Sequence, residues 1–322
     1  MLLRVVHHTV YQYQGAVDLA QHMAHLSPVD TPAQTVLEHR LEIRPEPATR
    51  SQQTDAFGNR RTFFALQSPH DRLDILADSL IETREPASLP DLPAWQAMTW
   101  EAVRDHFRYR VHASYDPASE FMFPSPMAPR DDAFVAFARD HFSAGRPMLE
   151  AVQALSTHIH KTLRYETAST EVHTPPLEAL RQGAGVCQDF AHILIACLRS
   201  LGLPARYVSG YLLTRPPPGK PRLIGADASH AWASVYLPWM PTDAPGMAGA
   251  WFDFDPTNDR NGWASPGEDY VTLALGRDFT DVSPMRGVIQ GSTRHQLDVA
   301  VTVAPPDEID DADLFTGATA LP

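Results

Sequence analysis

Three residues of this chain stand in settings suited to thiol chemistry. Cys187 lies in the run GVCQDFAH, Gly185 to His192. His230 begins a strand within SHAWASVYLP, Ser229 to Pro238, and Asp255 closes WFDFD, ahead of Pro256-Thr257-Asn258. A thiolate attacks a carbonyl, an imidazole carries the proton, and a carboxylate orients the imidazole. In this order the three read as nucleophile, base and orienter of a cysteine-dependent acyl transfer.

The elements that must position them can be read locally. Gly183 and Gly185 form a tight approach to Cys187, after which Phe190, Ile193, Leu194, Cys197, Leu198 and Leu201 recur at helical spacing. Gly202 and Pro204 end the helix. A thiol at a helix N-terminus feels the positive end of the dipole, and the N–H groups of that turn can help hold an oxyanion. Cys197, mid-helix on the apolar stripe, reads as a small core residue. His192 is five residues from Cys187, turned away around the helix, and reads as structural.

In the strand from His230, the side chains of His230, Trp232, Ser234 and Tyr236 share one face; in the next strand Trp251, Asp253 and Asp255 share a face. An antiparallel register placing His230 opposite Asp255 also pairs Trp232 with Asp253. Asp253 is the competing orienter; Asp255 is preferred because it sits at the strand end, level with the start of the His230 strand. Trp232, Gln182 and Tyr165 are candidates for a further oxyanion or supporting contact. Cys187, His192 and His230 could be offered as zinc ligands, but no C-x-x-C or H-x-x-x-H pair accompanies them. No P-loop, dinucleotide-binding glycine pattern or EF-hand loop is found, so neither metal nor cofactor is expected.

At 322 residues the chain is long for one core, and two domains are expected. A net charge of −13 argues against nucleic acid or an anionic membrane as main partner. The expected partner is a peptide or protein substrate. No secretory pattern is read at the N-terminus and no run of 18 apolar residues occurs, so no membrane span is expected. With two cysteines only, a reducing cytoplasm is the expected location.

The pattern is α+β. Residues 1–85 read as an antiparallel β domain, with strands at Leu3–Tyr13, Thr35–Pro45, Arg61–Gln67 and Arg72–Glu85. Residues 86–147 read as a helical linker region, with helices at Trp95–Phe107 and Asp131–Phe142. Residues 148–304 read as the catalytic core, closing with strands Tyr270–Leu275 and Thr293–Val303. Residues 305–322 read as an acidic disordered tail. The loop from Thr214 to Ser229, stiffened by Pro216-Pro217-Pro218, is placed to cover the site.

Several runs resemble the bacterial transglutaminase-like superfamily: Gly185 to His192, Leu201 to Tyr211, Ser229-His-Ala-Trp232 and Asp255-Pro-Thr-Asn258. Gly276 to Phe279 with Asp281 to Gly287 resembles a C-terminal signature of that group, and Asp55-Ala-Phe-Gly-Asn59 resembles its preceding β domain. The resemblance implies a papain-like core with a triad that falls on Cys187, His230 and Asp255. It does not fix the reaction, since the superfamily includes acyltransferases, peptidases, amidases and inactive members. No acidic loop has calcium-ligand spacing, so the calcium dependence of the animal enzymes is not carried over. Ala233 and Ser234 follow Trp232 where relatives often have bulkier or acidic residues.

The expected activity is hydrolysis of peptide or isopeptide amide bonds through a thioester on Cys187. Resolution of that thioester by an amine is the alternative, and a non-catalytic peptide-binding module ranks third.

Overall fold

The computed structural model describes residues 1–86, 98–112, 114–167, 169–214, 225, 229–241, 248–291 and 294–310, with backbone alone for 240, 241 and 248. The N-terminal part is built from β1 (Leu2–Val17), β2 (Leu19–Ser27), β3 (Gln34–Arg44), β4 (Thr49–Thr54), β5 (Arg60–Leu66) and β6 (His70–Thr83). They form two antiparallel sheets that enclose Val17, Ala20, Leu26, Ile43, Phe64, Leu66, Leu73 and Ile75. β2 and β4 have no counterpart in the sequence expectations. β4 is a wholly exposed polar strand that pairs only with β5, so it carries no hydrophobic alternation.

Three helices follow: α1 (Trp100–His106), α2 (Asp132–Ala138) and α3 (Met148–Thr162). Residues 98–147 do more than link. Val103, Phe134, Ala138 and Phe142 enter the same hydrophobic core as Phe190, Ile193 and Phe252. The expected helix start at Trp95 lies outside the described residues.

The elements that follow are β7 (Arg164–Tyr165), α4 (Pro176–Gln182), β8 (Ala184–Gly185), α5 (Cys187–Ser200), β9 (Ala205–Leu212), β10 (Ser229–Pro241), β11 (Ala248–Asp255), β12 (Arg260–Trp263), β13 (Tyr270–Gly276) and α6 (Phe279–Val282). Five strands make one antiparallel sheet in the order β12-β11-β10-β9-β13. α5 is buried all round from Asp189 to Arg199, which is why its apolar stripe is broad. One face of the sheet, with Ala231, Ala233, Val235, Phe252 and Phe254, joins the core containing Phe190, Ile193 and Leu194. The architecture is therefore α+β, a β domain followed by helices on an antiparallel sheet.

The last strands depart from expectation. β14 (Met285–Gln290) pairs with β2, and β15 (His295–Ala304) pairs with β1 along Arg4–Tyr13. They return to the N-terminal sheets, so the segment expected to close the core at 304 instead closes the β domain. Alternation marks a strand but does not name its partner, and here the partner is nearly 300 residues away in sequence. The expected tail also begins later than 305. A 3₁₀ turn at Pro306–Glu308 leads to Ile309, which packs on Val6 and Leu76. Residues 311–322 lie outside the described residues.

Candidate active site

The approach to Cys187 explains the GVCQD spelling. Gly183 has a left-handed backbone that ends α4. Gly185 is needed for another reason: a Cβ there would stand 2.7 Å from Asp189 Oδ2. Asp189 is buried in that space. Its Oδ2 accepts the Val186 N–H at 2.8 Å and the Thr170 hydroxyl at 2.6 Å. One carboxylate thus caps the helix and ties it to the loop before α4. Burial raises the Asp189 pKa, an effect its hydrogen bonds oppose. Cys187 follows as the first helical residue, half-buried, while Cys197 is fully buried.

β10 and β11 pair in a register two residues from the expected one, with Ser234 opposite Asp253 and Ala233 opposite Phe254. A shift of two keeps every side chain on its face. His230 consequently reaches Asp255 across the diagonal, Nε2 to Oδ2 at 2.7 Å. Cys187 lies close enough to the same ring to act on its charge. The structure brings the three residues together.

Asp255 is fully buried and heavily solvated by protein donors. Oδ2 accepts from His230, from the Tyr270 hydroxyl at 2.7 Å and from Asn258 Nδ2 at 2.7 Å. Oδ1 accepts from the N–H groups of Thr257 at 2.8 Å and Asn258 at 3.3 Å. The turn Pro256-Thr257-Asn258 is therefore a clamp for the carboxylate. Burial opposes its ionisation, yet the bond and charge of His230, with Tyr270 and Asn258, hold its pKa below the usual value. Burial likewise opposes charge on His230, but Asp255 and Cys187 outweigh it and raise the pKa to about 10. The carboxylate and the cysteine thus favour the charged, imidazolium form of the ring.

Residues 3–82 match the bacterial transglutaminase-like N-terminal region and residues 135–256 match the transglutaminase-like superfamily core. A protein of Mycobacterium tuberculosis is 38% identical over 307 residues, covering 94% of this chain and 92% of its own length. A protein of Mycobacterium leprae is 33% identical over 305 residues, covering 94% and 98%.

The chain belongs to the transglutaminase-like superfamily.

A crystal structure from Cytophaga hutchinsonii, described as a candidate cysteine protease, superposes with a TM-score of 0.68 at 20% identity, covering 95% of this chain and 91% of that one. At that identity the likeness is one of fold. Transglutaminase-like catalytic function is the general assignment that goes with this superfamily.

The remaining sequence candidates separate on inspection. Trp232 is fully buried and its Nε1–H is given to Asp253 Oδ2 at 2.8 Å, so it offers no donor to an oxyanion. Its ring lies over Gly210, where any Cβ would overlap it. Asp253 also accepts from the Ser234 hydroxyl at 2.5 Å and is bonded away from His230. Burial raises its pKa against the pull of Arg206. Ser234, the residue that departs from the commoner pattern, is thus half of the Asp253 support. Gln182 is exposed and its amide is bound by Glu178 at 3.1 Å. Tyr165 pairs with Gly185 across β7 and β8 and is half exposed beside Cys187. Burial raises its pKa first and the Cys187 charge second.

His192 is fully buried, stacks on Tyr207 with centroids 4.9 Å apart and accepts the Phe279 N–H at 3.2 Å. Burial lowers its pKa to about 3. It is a neutral packing residue, as the helix geometry predicts. Asn258 and Tyr270 were missed as site residues. Asn258 had a signal, since an amide three residues after an acid can fold back on it; Tyr270 had none. Among the described residues no group of three or more His, Cys, Asp or Glu is placed to hold a metal ion. Among them, too, no helix is long and apolar enough to cross a membrane. Pro216-Pro217-Pro218, and all of the Thr214–Ser229 loop except its two ends and Gly225, lie outside the described residues.

Proposed function

We propose that this protein is a cysteine hydrolase of peptide or isopeptide amide bonds, with Cys187 as nucleophile, His230 as acid and base, and Asp255 as orienter. The observation that carries the reading is the His230–Asp255 pair, with Cys187 acting on the same ring. Cys187 sulfur attacks the carbonyl carbon, and the oxygen takes up negative charge. The Asp189 and Phe190 N–H groups are taken by Val186 O, which leaves the N–H groups of Cys187 and Gln188 as the backbone donors offered to that charge; Tyr165 is the side chain offered as second donor. The imidazolium gives its proton to the leaving amine as the C–N bond breaks, and a thioester remains. His230, now neutral, takes a proton from water, whose oxygen attacks the thioester. The acid leaves, and the thiolate–imidazolium pair is restored.

The reading places the enzyme in a reducing compartment such as the cytoplasm, where Cys187 stays a thiol. The test is intact-protein mass spectrometry with an activated acyl ester. A single acyl adduct should form on wild type and be absent from Cys187→Ala. Chasing with water or with a primary amine then reports which resolves the thioester. Preference for the amine would make the enzyme an acyltransferase; absence of any adduct would leave the binding-module reading.

A further inference from the structure

The β domain meets the catalytic sheet along the outer edge of β13, where two buried amides take the place of a neighbouring strand. β13 pairs with β9 on its other side, with an irregularity: Thr272 opposes Gly210, but Ala274 opposes Ser209, so Leu273 is an extra residue. Such a bulge turns the peptide groups of Thr272 and Leu275 outward. Gln34, 2% exposed, pairs with the first of them: its Nε2 donates to Thr272 O at 2.7 Å and its Oε1 accepts the Thr272 N–H at 2.8 Å. A third bond to Val29 O at 2.6 Å fixes the amide. Asn59 pairs with the second, donating to Leu275 O at 2.6 Å and accepting its N–H at 2.7 Å. Asp55 holds the Asn59 amide at 2.9 Å, which gives the Asp55–Asn59 turn a purpose.

Two residues before Thr272 stands Tyr270. Its hydroxyl donates to Asp255 Oδ2 at 2.7 Å and its ring lies 5.8 Å from that of His230. A bulged edge strand bonded on one side only is free to shift register or flatten. Bonded by the two amides on its outer side, it is not.

We infer that the N-terminal β domain is a positioning element of the site: Gln34, by fixing the bulge of β13, keeps the Tyr270 hydroxyl on Asp255 and so sets the strength of the Asp255–His230 hydrogen bond. The inference rests on the reading of those residues as orienter and base. Tyr270 withdraws charge from Oδ2. When it moves away, the carboxylate becomes a stronger acceptor and pulls harder on the His230 Nε2 proton. Gln34 touches neither partner and acts only through Tyr270.

The experiment is proton NMR of the full chain, following the downfield Nε2 proton of His230, alongside the acylation rate. Tyr270→Phe should move the resonance downfield and lower the rate roughly tenfold, the worth of one hydrogen bond to a charged group, with KM changed less than about twofold. Gln34→Met should move both readouts in the same direction. The double variant should match Tyr270→Phe alone, because the two lie on one path. His7→Phe is the control. It removes another bond between the two parts, His7 Nδ1 to Tyr211 OH at 2.8 Å, without touching β13, and should leave the resonance in place. If Gln34→Met does not fold, Gln34→Glu keeps the acceptor for Thr272 N–H, loses the donor and should give the same displacement. An unmoved resonance in the Gln34 variant, additive displacements, or an equal displacement in His7→Phe would overturn the inference. Failure of wild type to acylate would instead remove the proposed function, while the resonance would still decide the positioning role.

Discussion

Exchange of one carboxylate for its amide separates the two aspartates of β11. In Asp255→Asn the new NH₂ group must replace either Oδ1 or Oδ2. At Oδ1 it would face two backbone N–H groups that cannot turn, from Thr257 and Asn258. At Oδ2 it would face His230, Tyr270 and the Asn258 amide; the tyrosine hydroxyl can rotate to accept, and the imidazole can accept only in the tautomer that gives up its Nε2 proton, the wrong one for the reaction. Either choice breaks at least two bonds to a charged acceptor, each worth about 1.5–3 kcal/mol. The charge that holds His230 as an imidazolium is lost as well. One such bond falling wholly on the transition state is a factor of about 10–150, and orienter losses in triads reach about 10⁴. An acylation rate lowered at least about 100-fold is expected. Asp253→Asn is milder. Its oxygen can keep Trp232 Nε1–H, while its NH₂ meets the Ser234 hydroxyl, which can turn to accept. Burial already works against the Asp253 charge, so the rate should stay within about threefold. The assay is stopped-flow acylation at neutral pH, with circular dichroism to show both variants folded. A larger loss from Asp253→Asn, or less than a tenfold loss from Asp255→Asn in a folded protein, would refute the assignment of Asp255 as orienter.

Iodoacetamide should label Cys187 far faster than Cys197 in the native protein, because Cys197 is wholly buried and burial pushes its thiol up; peptide mapping with equal labelling of the two would contradict this. The acylation rate should hold through pH 8 and fall only toward the His230 value of about 10, since that proton is kept below it; an alkaline limb near 6.5 would show that Asp255 and Cys187 do not support the imidazolium. Burial, the main cause, lowers the pKa of His7, His22 and His39 from 6.5 to about 4, so their neutral forms stabilise the β domain above pH 6.5 and that contribution is lost as pH falls toward 4; melting curves from pH 7.5 to 4 should drop across this window, and His39→Gln should reduce the drop. Truncation after Asp310 should leave the melting temperature within about 1 °C, whereas truncation after Ala304 removes Ile309 from its seat on Val6 and Leu76 and should cost about 1–2 kcal/mol; equal effects would show that Ile309 adds nothing.

The sequence alone placed Cys187, His230 and Asp255 on the faces and ends of their elements. The glycine approach to Cys187, the alternation in the two strands and the Asp255 turn are local patterns, and local patterns name faces and ends of elements. The proposed register was off by two, yet His230 and Asp255 still met, because a strand repeats its faces every two residues. Tertiary structure decided what no local period encodes. It brought Tyr270 from a strand beyond β12 onto Asp255, and set Gln34 and Asn59 against the edge of β13. It also sent β15 back to β1. Each of these depends on which distant segments pair and which buried polar groups need a partner. A single sequence states that such groups exist, but only the assembled sheet decides which donor answers which acceptor.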